Sequence, residues 1–368
     1  MSKRIKIISR LFSISILAVC LHIPKSFAET SLAAIIPLTG NAADQGEWAR
    51  RGFEMARAEL QQTGNPNLQL IYEDSKGGDP TAAVQAYKSI RLRAKPPVVF
   101  TYGSGVGMAL SPLVNSDKVI QMGIATATPK YTSPDDFTFR NFPSASLEAD
   151  FIAANLEKLG FKKVAIVHIE NDYGVGTAAA LKSAFTSRGG EVNLEDSYSP
   201  GETDFRSLVL KLKSSDSQAI YLASYPTDGA LILKQARQIR IEKQFIGSVA
   251  IIGGREFFQL TGDSAEGLLV ASSVPGKESS FSRQYEKEYP GEAPAQRIYA
   301  ARAYDALKVV AAGLAKCPDA DTICIKDELF KVRDFQGASG TFSFDKNGDI
   351  NSSFAIYRIH NKAFESMN

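Results

Sequence analysis

The chain has 368 residues, with 42 lysines and arginines against 40 aspartates and glutamates. Five of the basic residues and none of the acids fall in the first 28, so the remainder stands at 37 against 40, a net charge of −3. No block of five or more basic residues follows, which excludes the clustered basic face of a nucleic-acid binder, and the length exceeds one ordinary core, so two domains are expected.

Residues 1–28 read as a secretory leader. Lys3, Arg4, Lys6 and Arg10 form its basic start, 11–22 is a short apolar run, and Ser26-Phe27-Ala28 supplies the small residues of a cleavage site before Glu29. A membrane anchor is the alternative, but the run is shorter than the about 20 apolar residues a span needs. Lipid attachment at Cys20 is a second alternative, against which Val19 stands where a small residue is wanted. Once Cys20 leaves with the leader, Cys317 and Cys324 remain. In an oxidising compartment they read as a short-loop disulfide. A metal pair is the rival, weakened because no further Cys or His lies within ligand spacing.

Beyond the leader, strand-like and helix-like segments alternate. Residues 32–38 read as a buried strand, 47–60 as a helix with Phe53, Ala56 and Leu60 on one face, 68–73 as a strand and 81–93 as a helix. A strand at 98–102 runs through a Gly-rich turn into a short helix near 108–115, and 119–124 is the next strand. Past Phe142 the order is helix 147–159, strand 163–169, helix 176–187, strand 192–198, helix 205–213, strand 219–223, helix 229–239 and strand 245–249. The strands are near-continuous apolar runs such as Val164-Ala165-Ile166-Val167, as expected of parallel strands covered on both faces. A long helix near 297–315 then precedes 340–345 and 353–359, which read as antiparallel strands across the turn Asp345-Lys346-Asn347-Gly348. In parallel α/β sheets ligands sit beyond the carboxyl ends of the strands, where helix N-termini present free N–H groups. The turns to inspect are therefore 39–47, 103–107, 125–129, 170–174, 224–228 and 248–254.

Those turns carry a resemblance. Ile36-Pro37-Leu38-Thr39-Gly40 with Gly46, the stretch from Asp74 to Ala83, and Ala127-Thr128-Pro129 resemble the leucine/isoleucine/valine-type periplasmic binding proteins. So do Asp172-Tyr173-Gly174-Val175-Gly176, Gly201-Glu202-Thr203-Asp204-Phe205, Gln235-Ala236-Arg237 and Phe344-Asp345-Lys346-Asn347-Gly348-Asp349. Together they span nearly all of the exported chain in the right order. The resemblance implies an α/β fold of two doubly wound, mostly parallel-sheet lobes joined by a three-stranded hinge. Residues 29–143 plus 275–345 would form one lobe, and 144–274 plus 346–368 the other. It implies a periplasmic, non-enzymatic, monomeric receptor that closes over a small solute and hands it to an ABC transporter permease, with no cofactor. Relatives that act as ligand sensors are the alternative.

Site residues follow position by position. Ser104, between Gly103 and Gly105, matches a serine that holds the ligand's carboxylate, and small neighbours let an anion approach the backbone; a plain strand-to-helix turn is the other reading. Ala125, Thr126 and Thr128 match a second carboxylate clamp, although the family's threonine falls on Ala127. Tyr173 and Tyr225 match cleft-facing tyrosines, or are core aromatics. Trp48, the single tryptophan, stacks on the ligand or caps its lobe, with Gln45 beside it as a polar contact. Val249 stands where amino-acid-binding members carry a glutamate for the ligand's ammonium. Either another acid, such as Glu170 or Asp228, replaces it, or the ligand has no ammonium; the expectation is a small carboxylate or amide, such as an aromatic or keto acid, and not a standard branched-chain amino acid.

Other motifs give way on inspection. Gly103-Ser104-Gly105-Val106-Gly107 has Met108 where a dinucleotide fingerprint needs glycine. The loop starting at Asp345 has Ile350 where a calcium loop needs glycine and Ile356 at its twelfth position. His168 lies in an apolar strand, His360 is the other histidine past the leader, and no nucleophile elbow, zinc helix or Cys–His pair is present.

Overall fold

The computed structural model describes residues 30–63, 68–273, 280–292 and 294–367. The leader, with Cys20, lies outside the described residues. The first lobe opens with β1 (Thr30–Ile36), α1 (Ala43–Gln62), β2 (Leu68–Asp74), α2 (Pro80–Arg93), β3 (Val98–Thr101), α3 (Ser104–Asp117), β4 (Ile120–Gly123) and β5 (Thr138–Arg140). Their sheet has the order β2-β1-β3-β4-β5 and is parallel throughout. Local chemistry places the joints. Asp79 caps α2 by accepting from the amides of Thr81 and Ala82, with Pro80 at its first position. Asp74 pins the turn after β1 by taking the amides of Leu38 and Thr39.

The second lobe contains α4 (Ala145–Lys158), β6 (Lys163–Ile169), α5 (Asp172–Ser187), β7 (Glu191–Tyr198), α6 (Arg206–Ser214), β8 (Ala219–Ala223), α7 (Pro226–Gln238), β9 (Gln244–Gly247), α8 (Glu256–Thr261) and β10 (Leu269–Ser273). The chain then supplies α9 (Ser280–Glu288), α10 (Pro294–Leu314), α11 (Thr322–Phe330), β11 (Phe335–Gly337), β12 (Gly340–Phe342), β13 (Phe354–His360) and β14 (Ala363–Ser366). The second sheet runs β14-β13-β10-β9-β8-β6-β7, parallel except for β13 and β14.

Both sheets are covered on both faces, as the apolar runs require. On β1, Leu32, Ala34 and Ile36 enter one core while Ala33 and Ile35 enter another. On β6, Ala165, Val167 and Ile169 divide in the same way from Val164 and Ile166. α10 returns to the first lobe and lies against α1, where the Ala300 backbone occupies the space a Cβ on Gly52 would need.

Of the expected C-terminal hairpin the turn forms, closed by an antiparallel bridge between Phe344 and Ile350, but the pairing of its strands is corrected. β12 pairs with β11, not with β13, and β13 pairs antiparallel with β10 and β14 in the second sheet. The intervening turn is a strap. Asp345 takes the amides of Asn347 and Asp349, Asp349 binds the buried Arg140 at 2.6 Å, and the chain leaves for the other lobe. Cys317 and Cys324 form the expected disulfide, with an S–S distance of 2.07 Å.

Candidate functional site

In the first lobe, the turns after β3 and β4 meet. Gly103 adopts φ 92°, a conformation open to glycine, and so sets Ser104 as the first residue of α3. The Ser104 hydroxyl is buried and accepts from the amides of Ala127 and Thr128, each at 3.2 Å. The Thr126 hydroxyl donates to the Gly103 carbonyl at 3.3 Å, and Ala125 lies half-buried beside it. Arg140 braces this knot from behind by donating to the carbonyls of Thr126 and Thr128. The result is a helix N-terminus with Ser104 and the amides of residues 127 and 128 gathered at one spot, an arrangement suited to an anion.

Aromatic residues widen the site. The Tyr102 hydroxyl donates to Gln45 Oε1 at 2.7 Å, and Tyr102 packs on Tyr299 with ring centres 5.7 Å apart. Trp48 is buried and stacks on the other side of Tyr299 at 6.1 Å. Gln45 and Trp48 are thus linked to each other through Tyr102 and Tyr299, two tyrosines that sequence reasoning did not name.

The second lobe contributes the ends of β6, β8 and β9. Asn171 caps α5 by accepting from Gly174, which fixes Tyr173 in the first turn. Tyr173 stacks on Tyr225 with centres 5.1 Å apart, and its hydroxyl donates to Ser248 at 2.6 Å. Burial raises the Tyr102 hydroxyl well above its ordinary pKa, and Tyr299 and Tyr225 push it further. Burial likewise pushes Tyr225 up to about 12, so these hydroxyls stay neutral and both donate and accept.

The lobes touch around this space. Gln45 donates to the Gly253 carbonyl at 3.2 Å. Arg255 lies 5.2 Å from the centre of the Trp48 ring and reaches Glu292 at 2.5 Å. The two acids expected to replace a glutamate at position 249 have other hydrogen-bond partners. Glu170 is exposed, and hydrogen bonds from Ser197 and then Ser199 lower its pKa. Asp228 accepts from the Tyr198 hydroxyl at 3.3 Å, and burial raises its pKa. Glu148 of α4, an acid the sequence did not single out, is instead buried against Val249 and accepts its amide at 2.8 Å. Burial lifts its carboxyl from 4.5 to about 7, with the Val249 amide opposing.

Other features lie apart from the cleft. A charged surface hollow lined by Gln244, Glu266, Gly267, Arg358, His360 and Glu365 opens at the opposite, amino-terminal ends of the parallel strands of the second sheet. His168 contacts the Ile169 carbonyl at 3.1 Å within its own strand. Among the described residues no group of three or more His, Cys, Asp or Glu is placed to hold a metal.

Two lobes built on mostly parallel sheets, whose strand-end turns touch through the Gln45–Gly253 hydrogen bond, have the architecture of a solute-binding protein. The chain belongs to the periplasmic binding protein family, whose sequence profile matches residues 29–363. It is 27% identical over 354 residues to Leu/Ile/Val-binding protein homolog 3 of Brucella melitensis, covering 90% of this chain and 92% of that one. It is 26% identical to a leucine-, isoleucine-, valine-, threonine- and alanine-binding protein of Pseudomonas aeruginosa, over 99% of this chain and 98% of the relative. In structure it resembles a leucine-binding protein of Thermotoga maritima, with a TM-score of 0.85 at 26% identity, covering 92% of this chain and 98% of the other. These relatives are substrate-binding proteins, and the family is non-enzymatic.

Proposed function

We propose that residues 1–28 direct export to the periplasm, where the protein, as a monomer, captures a small carboxylate-bearing, amino-acid-like solute and delivers it to the permease of an ABC transporter. The lobes are 29–143 with 275–345 and 144–274 with 346–368, and ligand binding favours the closed arrangement because only closure brings both sets of turns onto one solute. The observation that carries the reading is the close approach of the strand-end turns of the two lobes, with Gly176 against the Thr128 hydroxyl, Gly253 against the Tyr299 hydroxyl, and Gln45 bonded to the Gly253 carbonyl. The names of its relatives support an amino-acid-like solute. Among the described residues no helix is long and apolar enough to cross a membrane, which fits a receptor that must pass its cargo to a separate permease.

A thermal-shift screen of amino acids, 2-oxo acids, aromatic acids and amides tests the reading. A true ligand at 100 times its dissociation constant adds about 2.7 kcal/mol of stability, and mass analysis after incubation recovers it unchanged. A screen in which no solute shifts the melt, or a ligand recovered chemically altered, contradicts the receptor.

A further inference from the structure

Glu148 sits in the first turn of α4 with 2 % of its surface exposed. Among the described residues its carboxylate makes one hydrogen bond, from the Val249 amide, and no cation among them offsets its charge. The titratable groups that feel its charge are tyrosine hydroxyls from three elements, Tyr173 of α5, Tyr221 of β8 and Tyr299 of α10, all held above their ordinary pKa chiefly by burial. Its one partner, Val249, follows Ser248, which accepts from the Tyr173 hydroxyl, and Gly253 a few residues on lies against the Tyr299 hydroxyl of the opposite lobe, so the carboxylate sits at the strand-end turn where the lobes meet. A buried carboxylate with a single N–H partner and no counter-charge is strongly unfavourable. It also stands beside the strand end where the Val249 side chain cannot hold a charge.

We propose that Glu148 pairs with a positively charged nitrogen of the bound solute, so that the ligand is a zwitterion of the amino-acid kind, its carboxylate at the Ser104 turn and its ammonium at Glu148. This inference rests on the receptor reading and narrows its ligand class. It assigns to helix α4 the acid that position 249 lacks, and leaves Glu170 to Ser197 and Ser199 on the surface.

The test is calorimetric titration of the exported chain with the standard L-amino acids and with their 2-oxo counterparts, which keep the carboxylate and side chain but lack the ammonium. The expected result is that at least one amino acid binds at least about thirtyfold more tightly than its 2-oxo acid, and that Glu148→Gln weakens it by a similar factor while sparing the 2-oxo acid. Glutamine keeps the size of the side chain and an acceptor for Val249. Tighter binding of the 2-oxo acid, or an unchanged amino-acid affinity in Glu148→Gln, overturns the assignment of Glu148 while leaving the receptor intact. Absence of binding by every carboxylate solute overturns both. Should Glu148→Gln fail to fold, the wild-type comparison of amino acid with 2-oxo acid decides alone.

Discussion

Ser104 and Glu148 do different work at the same cleft. Ser104 organises lobe one's anion turn, since its hydroxyl holds the amides of Ala127 and Thr128. Replacing it with alanine removes both contacts and any hydroxyl offered to the ligand. Affinity should fall about tenfold, in line with about 1–2 kcal/mol per lost hydrogen bond, in a chain that still folds; titration giving unchanged affinity would remove Ser104 from the site. Glu148 should instead reveal itself through pH. Its folded pKa is raised, from 4.5 to about 7, so the empty protein has the corresponding stability in full below pH 4.5 and loses it as pH rises through 7. The loss is on the order of 3 kcal/mol, and Glu148→Gln should not show it; parallel unfolding curves for the two proteins between pH 5 and 8 would refute the burial. The hydroxyls of Tyr173, Tyr221 and Tyr299 are held above their ordinary range and do not titrate in that window. The turn at Ser104 was legible because glycines flank a serine directly after an apolar strand, and the structure places Ser104 at the start of α3. Glu148 was not, because Ala145-Ser146-Leu147-Glu148 reads as an ordinary acidic helix start, and what it packs against is Val249, far along the chain, whose amide it accepts.

At the scale of elements, the Cys317–Cys324 bridge staples the joint between α10 and α11, away from the cleft. Closing so short a loop is worth about 2.5 kcal/mol by chain entropy. The double serine variant should therefore unfold at lower denaturant by up to that amount while titrating ligand with the native affinity; a large affinity loss would mean that the bridge positions the site. The alternation of strands and helices could be read from sequence because parallel strands buried on both faces give unbroken apolar runs. The pairing of residues 340–345 with 353–359 could not. Asp345-Lys346-Asn347-Gly348 has the residues of a hairpin turn, yet the Asp349–Arg140 ion pair ties that turn to β5, and β13 finds its partner in β10. Local turn chemistry fixed the bend but not the strand on its far side.

At the scale of the whole molecule, the two lobes touch through a few tight approaches, and the receptor reading takes these as the contacts of the closed state. The Tyr299 hydroxyl occupies the space where a Cβ on Gly253 would stand, and Gly253 has φ −80°, which alanine accepts without strain. Gly253→Ala should therefore leave each lobe stable but obstruct the closed state, weakening ligand by tenfold or more, chiefly through faster dissociation. An unchanged affinity would show that the lobes do not meet there. Closure itself is most directly measured by solution X-ray scattering on protein stripped of ligand by unfolding and refolding, with and without a saturating solute from the thermal-shift screen. The expected result is a smaller radius of gyration on addition of the solute, with the liganded curve matching the closed arrangement described here. An identical radius with solute demonstrably bound would contradict capture by two closing lobes.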